Sequence, residues 1–143
     1  MRRAPIFATA EAVEDAFYDA MERADLEAMM SLWADDDDVV CVHPGGPRLV
    51  GVEAIRRAWA DIFRGGSTEV RPAEVRTYQS ATLCVRNVVE QVIVRGAGST
   101  EIVRILATNV YIKGPLGWQI VLHHAASPGE GPGDPIGARG VLH

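Results

Sequence analysis

The stretch Thr82–Ala126, "TLCVRNVVEQVIVRGAGSTEIVRILATNVYIKGPLGWQIVLHHAA", decides the fold. It is rich in β-branched residues and broken at "GAGS" and "GPLG", where glycine and proline punctuate it. Strands are expected over 82–95, 101–113 and 117–126, with another over 69–78 before the break "QSA". Breaks this short join antiparallel neighbours, because a parallel pair needs a crossover of a dozen or more residues.

Ahead of the strands the period is helical. Val13, Phe17, Ala20, Met21 and Ala24 recur at steps of three and four, giving one apolar stripe on a helix that Thr9 can cap. Asp25 can cap a second helix, "LEAMMSLWA", with Leu26, Met29, Met30 and Trp33 on its apolar side. "VVCVH" reads as a short strand and "PGGPRLVG" as turn chemistry. "VEAIRRAWADIF" is a third helix, with Ile55, Trp59, Ile62 and Phe63 on one side and "RGG" as its stop. Helices followed by a run of antiparallel strands make an α+β protein, with three N-terminal helices on the concave face of a curved sheet.

With 143 residues the chain has the length of one domain. A single domain over 1–126 is expected, followed by a Gly/Pro-rich tail over 127–143. The formal net charge of -5 and the scattered cations give no basic patch, so no nucleic-acid partner is expected. No apolar run reaches the roughly 20 residues of a membrane span, and no secretory leader pattern stands at the start. Cys41 and Cys84 lie in apolar runs and read as buried reduced thiols, which places the protein in the cytoplasm.

Both alternating sets of residues in 82–95 are mostly apolar. An antiparallel sheet that is apolar on both faces implies a homodimer through the outer one. The polar exceptions mark the inner face. Glu90 sits among valines, Asn109 lies inside "ILATNVYI", and His43, His123 and His124 close apolar runs. An ionised carboxylate in an apolar wall is expensive unless paired, so Glu90, Asn109 and an imidazole are expected to meet. Pro44 holds His43 extended and so fixes its ring direction. Alternation from Trp118 through Ile120 and Leu122 points His124, rather than His123, to the inner face. Asp35 to Asp38 read as a solvated turn.

"EAVEDAFYDAMERADLEAMMSLWADDDDVVCVHPGGPRLVGVEAIRRAW" resembles the N-terminal half of SnoaL-like proteins of the NTF2-like superfamily. "ATNVYIKGPLGWQIVLHHAASP" resembles their last hairpin. The resemblance implies a cone-shaped α+β barrel, dimeric, with a pocket between sheet and helices. It also implies a range of activities: isomerases, polyketide cyclases, dehydratases, epoxide hydrolases and non-catalytic association modules. Ketosteroid isomerases pair an aspartate base with a tyrosine and a protonated aspartate. Tyr18 lies on the first helix as that tyrosine does, and Asp38 is the nearest counterpart of an acid.

Two readings follow. In one, the protein transforms a small apolar carbonyl-bearing molecule by proton transfer. Glu90 or His124 moves the proton, and His43, Tyr18 or Asn109 steadies the oxyanion. Trp33, Trp59, Phe63 and His123 complete the ligand-binding wall. In the other, the fold is a ligand-binding or dimerisation module without chemistry. No metal or cofactor is expected, because the histidines and carboxylates lack tight ligand spacing.

Overall fold

The computed structural model describes residues 5–129. The expected tail beyond residue 129 lies outside the described residues. Helix α1, Ala10–Arg23, starts at Thr9, whose Oγ1 accepts the Ala12 N–H at 3.1 Å. It ends at Ala24 in the left-handed conformation (φ 50°), and the Asp25 N–H returns to the Ala20 carbonyl at 3.1 Å. The reversal lets Asp25 cap α2, Leu26–Met30, through a 3.0 Å bond from the Ala28 N–H. This second helix is shorter than its apolar pattern predicts. After Met30 the backbone leaves the helix to pair with a strand: Ile120 donates to Leu32, and Ala34 donates to Ile120.

Strand β1, Val40–Val42, is followed by β2, Arg48–Val50, which the proline- and glycine-rich flanks disguise as turn. Helix α3 spans Val52–Arg64 and buries Ile55 and Trp59. Strands β3 (Glu69–Gln79), β4 (Leu83–Gly96), β5 (Ser99–Gly114) and β6 (Gly117–Ala126) follow. All six strands form one sheet in the order β2-β1-β6-β5-β4-β3. Five strands were expected, and the added edge strand is β2. Every pairing is antiparallel except β1 with β6. Gly117 (φ 82°) is required where it stands, since a Cβ there would lie 2.7 Å from the Phe7 carbonyl oxygen.

The helices cover one face of this curved sheet. Phe17, Met29, Ile55 and Trp59 meet Val88, Ala107, Tyr111 and Ile120 in the core. No described helix packs on the other face. There Val85 pairs with Val110, Val110 with Leu122 and Val40 with Leu122, and Tyr78 and Val50 stand exposed at the two sides.

Candidate functional site

The register lines up a transverse row on the concave face: Cys41, His123, Asn109, Arg86 and Thr77, one from each of β1, β6, β5, β4 and β3. Strand pleating puts these side chains on one side. Glu90, four residues beyond Arg86 on β4, faces the same way. Helix α1 lies over them, and Glu14 and Tyr18, one turn apart, project onto the row.

The result is a continuous buried network. Arg86 Nε donates to Glu14 Oε2 at 2.7 Å, and the Tyr111 hydroxyl donates to Glu14 Oε1 at 2.7 Å. Asn109 Nδ2 donates to Glu14 Oε1 and to the Tyr18 hydroxyl, each at 3.1 Å. Tyr18 in turn donates to Glu90 Oε2 at 2.8 Å. On the other side of the amide, Asn109 Oδ1 lies 2.6 Å from His123 Nδ1. Glu14, Glu90, Asn109 and His123 are all buried.

Burial sets the protonation states. Desolvation pushes the Glu90 carboxyl up to about 7, against the lowering effect of the Tyr18 hydrogen bond, and Glu14 adds repulsion. Burial and the neighbouring Glu90 raise the Tyr18 phenol well above its ordinary value, so it stays a neutral donor. Burial, with His43 and His124 nearby, drops His123 to about 3 and keeps it neutral. Burial alone lowers His43.

His43 is half-buried. Its ring stands edge-on to Trp59 with centroids 4.6 Å apart, and its Nε2 lies 3.6 Å from Cys41 Sγ. Burial, with Glu90 nearby, pushes that thiol up to about 12, so it is not a nucleophile at neutral pH. Trp59 also meets Phe17 edge-on and packs against Phe63. Trp33 is buried beside Ile120, and no ring contact joins it to this cluster among the described residues.

The structure thus brings together Glu90, Tyr18, Asn109, His123, His43, Trp59 and Phe63. The inward assignment of His124 is corrected. His123 is buried and His124 is exposed on the opposite face, beside Thr108 and Val42. The cause is a bulge: Tyr111 pairs with Ile120 and Val110 with Leu122, leaving Val121 without a partner. One extra residue reverses the alternation. Asp35 to Asp38 are exposed as expected. Glu14, Arg86 and Tyr111 were not anticipated. Arg86 shares the alternation of Glu90, and Tyr111 that of Asn109, so parity held the signal for both. No group of three or more potential metal ligands gathers among the described residues.

Helices over one face of a curved, mostly antiparallel sheet, with a polar network buried beneath the first of them, define an NTF2-like α+β protein. The profile of the SnoaL-like domain matches residues 10–129. The chain belongs to the SnoaL-like domain family. Solved structures agree. One, described as a candidate calcium/calmodulin-dependent protein kinase type II association domain from Thiobacillus denitrificans, is 38% identical. That match covers 87% of this chain and 99% of the other, with a TM-score of 0.81. A candidate dehydratase of the NTF2-like family from Streptomyces avermitilis is 29% identical over 82% of this chain and 93% of its own, with a TM-score of 0.73. A ketosteroid isomerase-like protein from Erwinia carotovora atroseptica shares the fold at 21% identity, covering 84% and 94% of the two chains with a TM-score of 0.65. A search of curated proteins gave no match. No helix among the described residues is long and apolar enough to cross a membrane.

Proposed function

We propose that the concave face binds a small apolar carbonyl-bearing molecule and that Glu90 moves a proton at the carbon beside the carbonyl. The observation that carries this reading is the buried Glu90 carboxyl, raised to about 7 and hydrogen-bonded to Tyr18. A base is most useful when its pKa lies near the working pH. Glu90 takes the proton, and the C–H electron pair moves onto the carbonyl oxygen as an enolate. Once protonated, Glu90 can donate to the Tyr18 oxygen, which releases the phenolic hydrogen to the developing oxyanion. The proton then returns from Glu90 to carbon. Asn109 Nδ2 already serves two acceptors, so it holds Tyr18 in place rather than touching the substrate. We assign ligand entry to the side of His43, which is half-buried and edge-on to Trp59. The isomerase-like and dehydratase neighbours support the reaction class. The free, buried Cys41 and Cys84 support a reducing, cytoplasmic setting.

The test is hydrogen–deuterium exchange at the α-carbons of cyclic ketones in heavy water, followed by NMR. The folded protein should accelerate exchange, and Glu90→Gln should remove at least about a hundredfold of that acceleration. Exchange no faster than in buffer, or unchanged in Glu90→Gln, would remove the reading.

A second reading, a non-catalytic association module, has its own support in the apolar outer face, which no described helix covers, and in the association-domain neighbour. In either reading we assign that face to a second copy of this chain.

A further inference from the structure

The order of donors and acceptors in the buried network fixes the position of one proton. The Glu14 oxygens face Arg86, Tyr111 and Asn109, and Arg86 can only donate. The Asn109 nitrogen must therefore face Glu14 and Tyr18, and its oxygen must face His123. At 2.6 Å from that oxygen, His123 Nδ1 has to carry a hydrogen. Burial keeps the ring neutral, so Nε2 is left as a bare acceptor. Among the described residues nothing donates to it.

A complementary orphan lies on a neighbouring ring. Trp59 is 1% exposed, and its Nε1–H is buried without a partner. The Trp59 and His123 ring centroids are 6.4 Å apart, and Phe17 lies 4.9 Å from His123 and 5.6 Å from Trp59. An unmet buried polar group costs about 1–3 kcal/mol. The Trp59 donor is such a group, and the His123 Nε2 acceptor, which no described residue serves, lies in the same aromatic cluster.

We propose that His123 and Trp59 form a subsite for a neutral hydroxyl group on a planar, apolar ligand. The hydroxyl donates to His123 Nε2 and accepts from Trp59 Nε1–H, while Phe17, His43 and Phe63 supply apolar and edge-on ring contacts. The proposal rests on the concave face being a ligand site. It narrows the substrate class to carbonyl compounds that also carry a hydroxyl. Glu14, Arg86 and Asn109 act as positioning residues that hold His123 in the one tautomer able to accept.

The test uses the full chain and three probes: benzyl alcohol, benzyl methyl ether and toluene. Nitrogen NMR of the free protein should show the Nδ1–H form of His123. Benzyl alcohol should shift the His123 Nε2 and Trp59 Nε1–H resonances and bind at least about tenfold more tightly than the other two, a difference of about 1.4 kcal/mol. Trp59→Phe, which keeps a ring and removes the donor, should weaken benzyl alcohol severalfold more than it weakens toluene. An Nε2–H tautomer, equal affinities, or no binding of any probe (a site for water only) would overturn the proposal. Glu90→Gln should show the same probe preferences as the wild type, so the subsite and the proton transfer can fail separately.

Discussion

Arg86 on β4 donates to Glu14 on α1 at 2.7 Å, with 13% and 2% of the two side chains exposed. This ion pair ties the first helix to β4, the strand next to the β3 edge of the sheet. Removing one partner of such a pair strands the other charge and costs about 3–5 kcal/mol. Arg86→Leu should therefore destabilise the protein by that amount in urea melts. Glu14→Gln added to Arg86→Leu should restore part of the loss, because an amide can still accept from Tyr111 and Asn109 without leaving an unpaired charge. Independent, additive losses would show that the two residues do not act as a pair.

Glu90 and His123 should give stability two opposed slopes with pH. Glu90 has a folded pKa of about 7, above its ordinary 4.5. Between those values the folded state holds a proton that the unfolded state has lost, so stability falls as pH rises. His123 has a folded pKa of about 3, below its ordinary 6.5. Between those values only the unfolded state is protonated, so stability falls as pH drops. From pH 4.5 to 6.5 the two effects cancel. Denaturant melts should show Glu90→Gln gaining stability with rising pH across this window, at up to about 1.4 kcal/mol per unit, and His123→Gln losing it at a similar rate. Parallel pH profiles for the two variants would contradict these environments.

The architecture was legible because hydrophobic period changes sharply after Gly66, from helical steps to strand runs. What escaped reading depended on partners distant in sequence. The strand Arg48–Val50 pairs only because Val40–Val42 lies beside it, and Leu32 to Ala34 leave the helix only because Ile120 offers backbone partners. Glu90 and Asn109 stood out as polar exceptions in apolar patterns, and Tyr18 only through the family resemblance. His123 was exchanged for His124 because neither glycine nor proline marks the bulge at Val121. Glu14 lies at the edge of the apolar stripe of α1, and only the docking angle of that helix on the sheet turns it inward.

Ala24 holds the left-handed conformation that ends α1, at φ 50°. A Cβ in that region costs roughly 1–2 kcal/mol, and glycine escapes it at some loss of unfolded-state entropy. Ala24→Gly should raise stability by about 0.5–1 kcal/mol, read as a higher urea midpoint at unchanged slope. A lower midpoint would mean that the side chain of Ala24 contributes packing that outweighs the strain.

The outer face offers the last expectation. Val85, Val110 and Leu122 pair across β4, β5 and β6, and Val40 on β1 extends the strip. Leu83 is 43% exposed and Tyr78 79% exposed at its margin. A sheet face this apolar is unstable against water, and a second copy presents the same strip in a self-complementary way. Val110→Lys places a charge at its centre, across from Val85 on one side and Leu122 on the other. Because that side chain points away from the helices, the fold should survive, with an unchanged far-ultraviolet circular dichroism spectrum. Sedimentation at micromolar concentration should show a dimer for the wild type and a monomer for Val110→Lys. A monomeric wild type, or a variant that stays dimeric, would mean that contact between copies is made elsewhere and that this face is covered by something other than itself.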